Sequence, residues 1–319
     1  MNTLKAVIRH GFFKEPGFQS FSIRIENSTV VFARSETPGD VSLVISGRKG
    51  YEKLRKLFFE LFELLFIYLG HYPRILLLEY NGTSADLKDL INKYHSSRRF
   101  GRLLPTCDIN AETINENALL HLRALKELPL FSLEYIVSSE YDSIIITHRL
   151  LLLLQAMEGL VTQTQRASVE VALKKITGKT GKEKTHKKAV FFICRESFFG
   201  FHRKYNCEIL QSLGLTKKSF LAKATDTRNV YSHFYNPKPD EIPISQGDET
   251  IYFFEILFFA TRIFLCTQLG IKLKDQNIRE SYYRIHDWIM ESKYHRDDNY
   301  KSWAYSLSKI GNAMQTVSP

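Results

Sequence analysis

Lys126-Glu127-Leu128-Pro129-Leu130 is where the 319-residue chain changes character. Upstream, strand and helix signals alternate. Phe21-Ser-Ile-Arg-Ile25 switches between apolar and polar residues, the period of a half-buried strand. Thr29–Ala33 and Val41–Ile45 are short β-branched or aromatic runs, separated by the turn signal Pro38-Gly39-Asp40. Tyr51–Leu69 carries an apolar stripe at helical spacing. Arg74–Tyr80 reads as a buried strand closed by Asn81-Gly82, and Ser84 as the cap of a helix reaching about Tyr94. Ile114–Leu128 reads as a helix that stops before Pro129.

Downstream of Pro129 the only strand signal is the ambiguous Ser143–Thr147. Helices are expected over 141–165, 167–177, 188–204, 206–213, 216–233, 249–269, 278–292 and 299–314. The fold class is therefore an α+β N-terminal domain, 1–130, followed by an all-helical domain, 131–319. Two domains suit the length at roughly 100–200 residues each.

Composition narrows the class. Apolar residues make up 44% and charged residues 24%, which excludes a mostly disordered chain. Leu57–Leu69 and Ile251–Cys266 are the most apolar stretches, but Glu60, Glu63, Glu255 and Arg262 interrupt them, so no membrane span is expected. The N-terminus shows no signal-peptide pattern. Cys107, Cys194, Cys207 and Cys266 lack zinc-pair spacing and read as buried thiols in a reducing compartment, hence a cytoplasmic protein.

The net charge of +10 is unevenly placed. Residues 1–130 hold +4 and residues 131–319 hold +6. Lys174–Lys188, with seven Lys and one Glu, matches the whole excess of the second part. Lys182, Lys184, Lys187 and Lys188 are the candidate RNA contacts of this Gly-containing stretch. Such contacts would be electrostatic and independent of sequence. The alternative is a solvated loop that aids solubility.

The segment that carries chemistry is Asp226-Thr-Arg228-Asn229-Val-Tyr-Ser-His233-Phe-Tyr235. Arg supplies a permanently charged donor fork that fits a phosphodiester. His moves a proton near neutral pH. Together they can cleave RNA without a metal. His233 would take a ribose 2′-hydroxyl proton or protonate the leaving 5′-oxygen, and Arg228 would stabilise charge on the phosphorane. On a helix Arg228 and His233 point about 140° apart. Asn229 and His233 share a face, so Asn229 can orient the imidazole or hold the phosphate. Similar Arg-to-His spacings occur at Arg195/His202 and Arg279/His286, but Glu196 and Glu280 follow those arginines and would repel phosphate. Those two read as surface helix pairs.

This segment resembles the Arg-Asn-x-x-x-His signature of HEPN domains, an all-helical nuclease superfamily of toxins and antiviral effectors. Leu151-Leu-Leu-Leu-Gln-Ala-Met-Glu158-Gly-Leu160 resembles the first HEPN helix of the ApeA-like branch, which joins such a domain to an N-terminal α+β domain. The resemblance covers about 140–270. It implies a HEPN-type bundle, metal-independent endoribonuclease activity, a homodimer or higher homo-oligomer, and a role in abortive antiphage defence. Arg228, Asn229 and His233 are the matched catalytic residues. A phage-derived trigger or a regulatory partner would act through residues 1–130. In a related toxin branch a tyrosine two positions after the histidine is adenylylated by a partner enzyme. Tyr235 stands at that offset, and its plainer reading is an aromatic that packs or stacks a base.

Glu158 sits in an otherwise apolar helix. It either pairs with Arg228 and orients the guanidinium, or faces water at the helix edge. Asp226 caps the local turn or positions the site. Other chemistries lack their motifs. Gly178-Lys-Thr-Gly181-Lys182 misses the spacing of a phosphate-binding loop, and neither a His-Glu-x-x-His pair nor a Gly-x-Ser-x-Gly elbow is present. Ser46-Gly-Arg-Lys-Gly50 reads as a strand-to-helix turn. The stripes Leu57–Leu69 and Phe253–Phe264 read as core or dimer surface. No metal or cofactor is expected. Two other functions remain: a non-catalytic HEPN module binding nucleotide, RNA or a protein partner, and a structural adaptor. Replacing Lys182, Lys184, Lys187 and Lys188 by Gln is expected to weaken RNA binding and flatten its dependence on salt. Filter binding across a KCl series measures this, and an unchanged slope would remove the stretch from the RNA surface.

Overall fold

The computed structural model describes residues 1–15, 17–84, 105–128, 133–138, 145–164, 193–194, 203–233, 239, 241, 243–244 and 248–291. The helices expected over 167–177 and 299–314, most of 188–204, the stretch after Ser84, the lysines of 174–188, the Arg195/His202 pair and Tyr235 lie outside the described residues.

A six-stranded antiparallel sheet precedes the helices, giving an α+β part and then a helical part. Its strands are β1 (Asn2–Arg9), β2 (Phe21–Ile25), β3 (Ser28–Arg34), β4 (Asp40–Gly47), β5 (Arg74–Tyr80) and β6 (Thr83–Ser84), in the order β2-β3-β4-β1-β5-β6. β1 has no counterpart among the sequence expectations, yet it is central. It pairs Lys5 with Val44 of β4 on one side and with Glu79 of β5 on the other. Its alternation is real, with Leu4, Ala6 and Ile8 buried and Lys5 and Arg9 exposed, but small Ala6 weakens the signal. Ser84 pairs with Glu79 as part of β6.

Two tight turns set the registers. Glu26 (φ 47°) and Asn27 (φ 63°) join β2 to β3, and Asn81 (φ 50°) and Gly82 (φ 82°) join β5 to β6. Positive φ at both central residues is the geometry whose twist matches the flanking strands. Glu26 is an unusual residue there. Its carboxylate is held by Lys49 at 2.5 Å and by Arg123.

Helix α1 (Tyr51–Leu69) crosses the inner face of the sheet. Leu4, Ala6 and Ile8, Val30 and Phe32, and Val41, Leu43 and Ile45 pave that face. From Leu64 to Leu69 every residue of α1 is buried. A helix apolar all round must be covered on all sides. The sheet covers one side, and α2 (Glu116–Lys126) and α7 (Asp248–Gln268) pack elsewhere on it. Asn115 caps α2, accepting from Ala118 N at 2.9 Å. Glu60 of α1 is buried but meets the Arg123 guanidinium of α2.

Further helices among the described residues are α3 (Leu133–Ser138), α4 (Ile146–Thr164), α5 (Arg203–Ser212), α6 (Lys217–His233) and α8, over 275–291. Ile146 and Thr147, the last two of the five residues in the ambiguous strand signal, open α4. The buried hydrophobic residues form one cluster that runs from β1 through α1 and α7 to α8. By length and composition alone α7 could span a membrane over Glu249–Gln268, but 89% of its apolar window is buried inside the protein. Its aromatic stripe is core: Phe253, Phe254, Phe258, Phe259 and Phe264 are all buried.

His10 and His71 pack with ring centroids 4.2 Å apart where β1 and α1 end. His10 Nδ1 accepts from Phe12 N at 3.0 Å. Burial lowers the pKa of both rings; the charges of His71 and Arg262 add to this for His10, and that of Arg262 for His71, which falls from 6.5 to about 4. The unfolded chain therefore binds more protons than the folded one between these values. Stability should fall as the pH drops from 7 to 5, and His71→Gln should remove part of that fall. Urea melts at both pH values test this, and equal losses in the two proteins would contradict it.

Candidate functional site

The motif lies on α6, and local chemistry sets where that helix starts. Gly214, at φ 69°, ends α5: Leu215 N bonds to Leu210 O at 2.8 Å and Gly214 N to Gln211 O at 2.9 Å. Thr216 and Ser219 then cap α6 reciprocally. Ser219 N donates to Thr216 Oγ1 at 3.2 Å and Thr216 N to Ser219 Oγ at 2.8 Å. Asp226 is thus nine residues beyond Lys217, buried within the helix, and does not cap a turn.

Three contacts hold α6 in place. Phe220 stacks on Phe253 of α7 at 4.5 Å, and Lys223 Nζ meets Glu249 Oε1 at 2.6 Å. Thr227 Oγ1 donates to Lys223 O at 2.7 Å and accepts from Ile244 N at 2.6 Å, which clips the following segment to the helix. α6 also packs on α4. α4 presents Leu150, Leu153, Leu154, Met157 and Leu160 to the core, with Glu158 at the margin of that face.

Glu158 meets Arg228. Arg228 Nη2 donates to Glu158 Oε2 at 2.9 Å, with 19% and 24% of the two side chains exposed. The pair fixes one edge of the guanidinium. Arg228 Nε, Asn229 Oδ1 and Ser232 Oγ are buried without a hydrogen-bond partner among the described residues. Three unmet polar atoms within five residues are uncommon in a packed interior. Ser232 is the residue that sequence reasoning missed. Its signal is its spacing: four after Arg228, on the same helical face.

Asn229 is only 2% exposed. Of its two expected tasks, that burial favours orienting a neighbour over holding a phosphate from solvent. His233 is the last residue of α6, one turn after Asn229, and its ring lies outside the described residues. Tyr235, Lys182, Lys184, Lys187 and Lys188 also lie outside them. Arg279 and His286, on α8, are exposed and half-buried, and His286 Nδ1 lies 3.1 Å from Asp287 Oδ1.

Comparison with family models, curated proteins and solved structures returns no match. The Glu158–Arg228 contact is measurable in the protein alone. A double-mutant cycle with Glu158→Gln and Arg228→Gln, followed by urea unfolding, should return a coupling of about 1 kcal/mol for a half-buried charge pair. Zero coupling would mean that the two side chains do not hold each other in solution.

Proposed function

We propose that the chain is a metal-independent endoribonuclease of HEPN type, acting as a homodimer or higher homo-oligomer in the cytoplasm. The observation that carries this reading is Arg228. Its guanidinium is anchored by Glu158 from a second helix, on the helix that also bears Asn229 and His233. A phosphoryl-binding arginine needs a fixed orientation, and a carboxylate on one edge supplies it.

In the proposed reaction His233 accepts the 2′-hydroxyl proton of the ribose. The freed oxygen attacks the adjacent phosphorus and the 5′-oxygen leaves with a proton. Arg228 stabilises the charge that builds on the non-bridging oxygens, and Asn229 orients the imidazole. Products are a 2′,3′-cyclic phosphate and a 5′-hydroxyl. One His offers a single acid–base group, so two copies facing across a two-fold axis would supply base and acid. The substrate is single-stranded or looped RNA, including tRNA loops, because unstacked ribose reaches in-line geometry. Residues 1–130 act as sensor or restraint, answering a phage-derived trigger or a regulatory partner in abortive defence.

RNA cleavage in EDTA tests this. His233→Ala and Arg228→Ala should each lose about 100-fold or more. Undiminished cleavage in both variants would remove the site, and an absolute need for divalent metal would remove the mechanism. A folded protein that binds RNA and leaves it intact would support the non-catalytic module instead.

A further inference from the structure

Thr227 precedes Arg228 and belongs to a different contact of the same helix. Phe220, Lys223 and Thr227 lie on one flank of α6, within about 60° of its circumference. Their partners run in the opposite sense along the neighbouring chain. Phe220 stacks on Phe253 at 4.5 Å, Lys223 Nζ meets Glu249 Oε1 at 2.6 Å, and Thr227 Oγ1 accepts from Ile244 N at 2.6 Å. Phe253 and Glu249 belong to α7, and Ile244 to the segment that leads into it. The three contacts form an antiparallel seam, and Thr227 is its last member before Arg228.

Arg228 opens the next flank. It lies about 100° further round the helix, and its guanidinium meets Glu158 of α4. α4 packs on both α6 and α7. α6 is thus wedged, with one flank fixed on the α7 side through residue 227 and the next fixed to α4 through residue 228. At the end of a long side chain, a helix rotation of about 10° moves the guanidinium by more than about 1 Å. That is enough to break a 2.9 Å hydrogen bond to a fixed carboxylate. Thr227 and Ile244 are each 3% exposed, so water does not replace the bond between them. Donation of the Thr227 hydroxyl proton to Lys223 O at 2.7 Å leaves a lone pair for Ile244 N. Thr225 makes the ordinary version of this bond, donating to Leu221 O at 3.0 Å, with no donor to it across the interface among the described residues.

We propose that Thr227 is a positioning residue of the α6 site: its hydroxyl sets the rotation of the last turns of α6 and so holds Arg228 in register with Glu158. This role serves the ribonuclease reading but rests on the contacts of Arg228 and not on RNA cleavage. Valine at this position keeps the shape of threonine and loses both bonds, which leaves the Ile244 amide buried without its partner. Serine keeps the hydroxyl.

The Glu158→Gln and Arg228→Gln cycle is repeated by urea unfolding of the full chain carrying Thr227→Val or Thr227→Ser. A general loss of stability enters all four corners of a cycle and cancels, so a merely structural threonine would leave the coupling unchanged. The coupling in Thr227→Val should be about half or less of that in the unaltered chain, and Thr227→Ser should restore it. Amide exchange of Ile244 should quicken about tenfold or more in the valine variant. In RNA cleavage, kcat should fall about tenfold or more in Thr227→Val with KM within about twofold, because orientation counts most in the transition state. Equal coupling in the unaltered chain and Thr227→Val would overturn the proposal. So would zero coupling in the unaltered chain, unchanged exchange at Ile244, or an active chain whose kcat the valine leaves alone. If Thr227→Val fails to fold, Thr227→Ala removes the same two bonds with a higher helix preference and is read in the same way. A chain that cleaves no RNA but loses its coupling in Thr227→Val would remove the ribonuclease reading and keep Thr227 in this role.

Discussion

Arg262 is the residue on which the arrangement of layers depends. It is fully buried in the middle of an apolar helix, where an unsolvated charge is strongly unfavourable. The guanidinium meets this cost at the C-terminus of α1. Nε donates to Ile67 O at 3.0 Å and Nη2 to Tyr68 O at 2.5 Å. Those are carbonyls of the last helical turn, at the negative end of the helix dipole. Gly70 makes the approach possible. Its φ is +91°, and a Cβ there would sit 2.7 Å from Arg262 Nη1. Phe258, one turn earlier on α7, places its ring 6.0 Å below the guanidinium. One cation thus ends one helix, aligns another and fixes the distance between them. His10, His71, Cys107 and Cys266 are gathered around it, and each feels its charge.

The candidate site depends on this joint at one remove. α7 is held against α1 by Arg262 and in turn carries α4 and, through Phe253 and Glu249, α6. The distance between Glu158 and Arg228 is therefore set by packing over the whole helical part, not by a local turn. A second arginine of the core shows the same economy of charge: Arg149 of α4 lies 1% exposed with its guanidinium 4.6 Å from the Phe254 ring of α7.

Much of the fold was legible because its signals are local. The stripe of Tyr51–Leu69, the Asn81-Gly82 turn and the strand runs at 21–25, 29–33 and 41–45 each declare themselves within a few residues. β1 did not, because its central place comes from partners forty and seventy residues away. Glu26-Asn27 was also unreadable as a tight turn, since a carboxylate at positive φ makes sense only beside Lys49 and Arg123. Asp226 is no cap, because the capping pair Thr216 and Ser219 starts α6 ten residues earlier, and that pair is visible only once the helix start is fixed. At the site, the Glu158–Arg228 contact could be framed from a lone carboxylate in an apolar helix, but only the fold decides between a partner and water.

The central claim is that the α6 motif cleaves RNA through the ribose 2′-hydroxyl. The chemistry leaves its mark on the ends of the product, so end-group analysis of RNA cut by the full chain in the presence of EDTA tests it most directly. The account predicts 2′,3′-cyclic phosphate and 5′-hydroxyl ends. Fragments ending in 3′-hydroxyl and 5′-phosphate would contradict it.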